Sequence, residues 1–265
     1  MASETPLPPP PRDDQLTVAA IAIAAAAIVT FDHEALGHGS ACLASGGHIA
    51  LLTSVYFRCT TPSAWIAAGG PAGNLIMGAA AWLALQTVPA RMARLRLLLM
   101  LITALGVFWE AGYLLYSMMR SDGDWFFAAR AAFGEPAWPW QIGGAVTGLV
   151  LYLVGMRATA AATRALVGAD ESSGRRRARA LLRTAWIAAS VSACVAAAAY
   201  APDRLGAMRQ ASLEIGAGSL PLLMLARRIR PGSARMEMPL SRHFGWIVFA
   251  VVLYAVFVAT LGRGI

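Results

Sequence analysis

Seven stretches of this chain are each apolar for about the twenty residues that a helix needs to cross a bilayer, and that pattern restricts the fold more than any motif does. They run roughly from Leu16 to Leu43, Ala64 to Val88, Leu95 to Met118, Ile142 to Val167, Leu182 to Tyr200, Ala207 to Ala226 and Phe244 to Leu261. With 58% hydrophobic and 14% charged residues over 265 positions, the composition is too apolar for an ordinary soluble domain. The expected fold class is all-α, a polytopic transmembrane helical bundle of about 6–7 spans. The sixth stretch is the weakest, because it contains Glu214 and Pro221, and is expected to be broken or re-entrant. Residues 1–14, acidic and Pro-rich, read as a disordered tail. Residues 15–130 form the core of the bundle and residues 131–265 add further helices to it.

All 22 basic residues are Arg, and they are distributed unevenly. Seven spans place 16 of the 22 on the side of the N-terminus, which predicts a cytoplasmic N-terminus by the positive-inside rule. The +8 charge is thus read as topology and implies no nucleic-acid partner. The expected location is an inner bacterial membrane, with the lipid bilayer as the surroundings of most of the chain. Cys42 and Cys59 flank one loop and could pair in an oxidising compartment, but the simpler expectation is that these and Cys194 are buried free thiols. Between the first two spans, Gly46-Gly-His-Ile-Ala-Leu-Leu-Thr-Ser-Val-Tyr-Phe-Arg58 is β-prone, and reads as a strand or hairpin at the membrane surface able to pair with an extended peptide.

The first span ends in Phe31-Asp-His-Glu-Ala-Leu-Gly-His-Gly-Ser40. Ionisable residues at membrane depth are costly and mark function. His33 and His38, with Glu34 as a neighbouring base, suit a hydrolytic metal site, in which a carboxylate takes the proton of bound water. The spacing is H-E-x-x-x-H, however. On a regular helix residues four apart lie about 40° apart and residues five apart about 140°. Either a π-bulge near Gly37 brings His33 and His38 together, or Glu34 and His38 form the ligand pair with His33 behind them. Two further stretches fall on the same side of the membrane. Gly69-Gly-Pro-Ala-Gly-Asn74 carries Gly70, Pro71 and a buried amide in Asn74, and Ser121-Asp-Gly-Asp-Trp125 supplies Asp122 and Asp124. Glu110, inside the third span, is a partner for a ligating His, part of a polar path, or a structural carboxyl.

The local segment HEALGHGS is similar to the zinc motif of the soluble dipeptidyl peptidase III family, where the extra residue is accommodated. Over residues 30–125 the order of features resembles the site-2 protease (M50) family of intramembrane zinc metalloproteases. That resemblance implies zinc held by His33, His38 and either Asp122 or Asp124, Glu34 as general base, and Gly70, Pro71 and Asn74 as support. It also implies a membrane protein or peptide as substrate. The alternative is a bundle of the same fold without catalysis, serving as a scaffold or as a metal-binding or transporting protein. Four His are too few for a membrane di-iron oxygenase, and no G-x-S-G is present for a serine intramembrane protease.

Overall fold

The computed structural model describes residues 13–135, 137–167, 171–229 and 239–265. Six of its helical stretches are long and apolar enough to cross a membrane: Gln15–Ala44, Ala64–Thr87, Ala93–Arg120, Trp138–Val167, Ser173–Ala197 and Phe244–Gly262. The first comprises α1 (Gln15–Phe31), a π-helical segment (Asp32–His38) and α2 (Gly39–Ala44). The others are α3 (Ala64–Thr87), α4 (Ala93–Arg120), α6 (Trp138–Val167), α7 (Glu171–Ala197) and α10 (Phe244–Phe257), the last ending in a π turn (Val258–Gly262). A short helix, α5 (Asp124–Phe133), lies between α4 and α6. The chain is an all-α integral membrane bundle, as its apolar runs predict.

The sixth apolar stretch is broken. It consists of α8 (Arg204–Ala211), a second π segment (Ser212–Ala217), a turn, and α9 (Pro221–Arg228). It nevertheless returns across the bundle antiparallel to α7. Cys194 Sγ reaches Met208 O near one end, Trp186 Nε1 donates to Gly216 O in the middle, and Leu240 N beyond α9 donates to Asp13 Oδ1 at the far end. Asp14 and Ile265 therefore lie at opposite ends of the bundle. Residues 1–12 of the Pro-rich tail lie outside the described residues. Asp13 and Asp14 are held firmly: Asp13 pairs with Arg177 through both oxygens (2.7 and 2.9 Å), and Asp14 caps α1 by accepting from Thr17 N (2.9 Å).

The packing has the inside-out distribution of a membrane protein. α1 and α4 form the centre, with Ile21, Ala24, Leu97, Leu101 and Phe108 fully or almost fully buried. The outer helices turn large apolar side chains outward, among them Ile76 (69% exposed), Leu83 (67%) and Val251 (61%). Such a surface is stable only against lipid.

After α2 the chain makes a hairpin of β1 (Ile49–Leu52) and β2 (Phe57–Cys59), paired Leu52↔Phe57 and Leu51↔Arg58 with a bulge before Ile49↔Cys59. Cys42 and Cys59 form a disulfide, which corrects the expectation of free thiols at these positions. The hairpin returns Cys59 to the end of α2, and Gly47 leaves room for the bridge, since a Cβ there would meet both sulfurs. Cys194 is free and half-buried. Ile265 pairs with the outer edge of β1 through two backbone hydrogen bonds to Leu52 (2.9 and 3.0 Å).

Candidate metal centre

The one-residue excess in H-E-x-x-x-H is absorbed by the π segment. Gly39 N–H bonds to Glu34 O, five residues back, so that residues five apart come onto one face. The segment is pinned by glycine on glycine. A Cβ on Gly37 would lie 2.6 Å from Gly69 O and from Gly70 Cα, and one on Gly73 would lie 3.2 Å from Asp32 Oδ2. The backbones of the first span and α3 thus approach as closely as two helices can, the usual purpose of small residues at membrane helix interfaces.

Each histidine is oriented through Nδ1. His33 Nδ1 faces Glu110 Oε1 at 3.1 Å, and its ring stacks on Trp109 with centroids 4.4 Å apart. His38 Nδ1 faces Ile66 O at 2.6 Å, and its ring stacks on Phe57 at 5.3 Å. Asn74 Nδ2 (3.1 Å) and Gly70 N (3.3 Å) also approach the two Nδ1 atoms; with the proton on Nδ1, directed to Glu110 and Ile66 O, each Nε2 lone pair is left for a metal. Both Nε2 atoms converge beside Gly70, where a Cβ would fall against the two of them. Asp124 supplies the third donor, with Oδ2 3.4 Å from His38 Nε2. The three donor atoms all lie within 4.8 Å of one another.

Asp124 reaches the cluster because Gly123, at φ 87°, turns the chain sharply into α5. Tyr113 then locks it, donating to Asp124 Oδ2 (3.0 Å) and accepting from Asp124 N (2.9 Å). Asp122 stays exposed at the turn, where its Oδ1 accepts from Gly123 N, and is no part of the cluster. Asp124→Ala is expected to lower metal affinity by about 100-fold or more, and Asp122→Ala to change it by less than about twofold, in a competitive chelator titration. Comparable losses from the two variants would overturn this assignment.

The remaining candidates support the histidines. Glu110 is fully buried, accepts from Asn74 Nδ2 (2.8 Å) and Trp125 Nε1 (3.1 Å), and so presents an ordered carboxylate to His33. Pro71 is buried in α3 beside Gly70. His48 and His243 are exposed; the second caps α10. Glu34 takes no part in this pairing, and Asp32 Oδ2 and Asn74 Oδ1 are likewise buried without partners among the described residues. Glu34 is 3% exposed, and neither oxygen has a hydrogen-bond partner among the described residues. It lines, with the three donors, a cavity of about 1010 Å³ that runs to the membrane end between the hairpin and α5. A carboxylate left unpaired in such surroundings calls for a functional explanation.

Trp109 and Tyr113, to which the sequence pattern gives no role, also lie at the site, as do Asp32 and Trp125. Tyr113 lies three residues beyond Glu110 and thus on the same helical face, the one signal available for it. The C-terminal half also contributes, for Glu214 in the second π segment lines the same cavity. Compared with protein-family models, curated proteins and solved structures, the chain finds no match in any of the three.

The donor set fits a metal ion. Two imidazole nitrogens and a carboxylate oxygen form a set that zinc accepts in hydrolytic sites while keeping a position open. Gly70 provides the space, since any side chain there would fill the point the two Nε2 atoms share.

Proposed function

We propose that this chain is an integral membrane zinc metallopeptidase of the site-2 protease type, hydrolysing peptide bonds in membrane-embedded or membrane-associated segments. The observation that carries the reading is the meeting of His33, His38 and Asp124 beside the unpaired Glu34 in one cavity within the bundle. Zinc bound there supplies a Lewis acid and a water of lowered pKa. Glu34 would serve as the general base toward a water in the cavity and pass the proton on to the leaving nitrogen. Having no competing hydrogen bond, its carboxylate is free to move between the two positions. Glu110 and Ile66 O keep Nε2 of each histidine directed at the same point, and Tyr113 keeps Asp124 there. β2 lines the cavity through Phe57, Arg58 and Cys59, where a substrate segment drawn out of helical form finds a strand to lie against.

The test is metal analysis of the purified full chain in detergent together with cleavage of a quenched peptide library. About one zinc per chain, lost in His33→Ala and in His38→Ala, is expected, with hydrolysis lost alongside. Zinc retained in both variants would overturn the site, and zinc bound without any cleavage would favour the metal-binding or transporting alternative.

The site end of the bundle is proposed to face outward from the cytoplasm, with the N-terminus inside, in an inner bacterial membrane. The order of spans in the sequence puts 16 of the 22 Arg on the side of the N-terminus, and the Cys42–Cys59 disulfide, which suits an oxidising compartment, lies at the other end of α1. Thr61→Cys at the site end and Ala90→Cys at the other, each in a Cys194→Ser background, distinguish the orientations. With a membrane-impermeant maleimide on intact cells, position 61 is expected to label and position 90 not; the reverse pattern would invert the topology.

A further inference from the structure

A second, smaller cavity of about 180 Å³ adjoins the metal cavity between α4, α6 and the broken span. Its walls include the aromatic residues Trp109, Tyr116 and Tyr152, while Tyr113, Gln210 and Glu214 line both cavities and so lie between them. Glu214 is nine-tenths buried and sits in the second π segment, closed by Gly218 N–H to Leu213 O. One of its oxygens accepts from Gln210 Nε2 (2.8 Å), and the other has no partner among the described residues. Among the described residues no cation is paired with it. Trp109 Nε1, buried at the back of the same cavity, also has no partner.

A carboxylate at membrane depth normally faces a counter-charge. Aromatic faces around a small space favour a cation strongly once it is desolvated, through the ring quadrupole. An interrupted membrane helix with polar groups at its break is a recurrent way to build such a site. Gly112 and Gly218 line the cavity where α4, α6 and the broken span approach closely, since a Cβ on Gly112 would meet Tyr152 Oη and one on Gly218 would lie 3.2 Å from Trp109 Cα.

We propose that this side cavity is a subsite for a cationic group of the substrate, a guanidinium or alkylammonium, held between Glu214 and the aromatic walls next to the reacting bond. The placement next to a reacting bond rests on the peptidase reading; the cation site itself does not. The group comes from an arginine or lysine side chain or from a free amino terminus, and the two sources are separable by experiment.

Two measurements on the full chain in detergent test it. In metal-free protein, butylguanidinium is expected to quench tryptophan fluorescence saturably and about tenfold more tightly than the uncharged butylurea. That preference should disappear in Glu214→Gln and, by steric filling, in Gly112→Val. With zinc-loaded protein, acetyl-arginine hydroxamate should bind about tenfold more tightly than acetyl-norleucine hydroxamate if the source is a side chain. Norleucine hydroxamate with a free amine should be the tighter ligand if the source is the amino terminus. Equal binding of butylguanidinium and butylurea, or a preference that survives Glu214→Gln, would overturn the subsite. A preference for butylguanidinium with no hydroxamate binding would leave the subsite standing and remove the peptidase reading instead.

Discussion

Glu34→Gln is expected to leave about one zinc per chain in place and to reduce peptide hydrolysis by about 10²–10⁴-fold. The amide keeps the length and packing of the side chain but cannot accept a proton. Metal retention follows because the donor atoms belong to His33, His38 and Asp124, with Glu34 outside the set. The same substitution should not weaken the fold. Glu34 is buried without a hydrogen bond, an arrangement that costs free energy, so a neutral isostere removes the cost of a desolvated charge. The melting temperature is expected to be unchanged or higher, the usual relation where a site is kept for activity at the expense of stability. Metal content and melting temperature are measured on the same preparation as activity. Loss of zinc in Glu34→Gln would mean that Glu34 and His38, four apart, are the ligand pair; retention of hydrolysis would mean that another group is the base.

How much of this was legible in the sequence depended on whether a feature is local. The apolar runs gave the spans, because crossing a bilayer is a matter of length and composition within one segment. Glu214 and Pro221 marked the sixth run as irregular for the same reason, and it is the one that breaks. The spacing of His33 and His38 posed the alternatives of a π-bulge or a different ligand pair, and the structure has the bulge. What was not legible are relations between segments. Asp122 and Asp124 could not be told apart, since the choice turns on Gly123 at φ 87° and on the Tyr113 hydroxyl from another helix. The Cys42–Cys59 bridge depends on the hairpin bringing β2 back to α2. Glu110 faces His33, one of the roles its place in the third span suggests, but nothing near it in the sequence indicates that Asn74 and Trp125 both donate to it. Glu214 lies 180 positions beyond Glu34, and only the antiparallel return of the broken span along α7 carries it to the cavity.

Gly37→Ala is expected to be as damaging as removing a ligand, although Gly37 donates nothing to the metal. The π segment presents both histidines on one face only while the first span lies directly against α3. The atoms that a Cβ on Gly37 would meet are Gly69 O and Gly70 Cα, each at 2.6 Å, with the Gly69 carbonyl carbon at 2.9 Å. All are backbone, so no side chain can rotate away, and one helix must move. Overpacking of this kind costs about 1–3 kcal/mol where the structure can adjust. Here the adjustment separates α3 from His38, whose Nδ1 is anchored on Ile66 O of that same helix. Alternatively the segment reverts to regular α-helix, which returns residues five apart to opposite sides and parts His33 from His38. Either response is expected to lower zinc affinity by about 100-fold or more, as large as the effect of losing a supporting hydrogen bond to a ligand. Ser40→Ala is the control on the neighbouring turn, because its exposed hydroxyl bonds only to Gly37 O (3.3 Å) and its loss leaves the helix contact intact. Zinc affinity in Gly37→Ala within about threefold of the parent, with a normal melting temperature, would show that the histidines meet without the close approach of α3, and the account of the bulge given by glycine on glycine would fall.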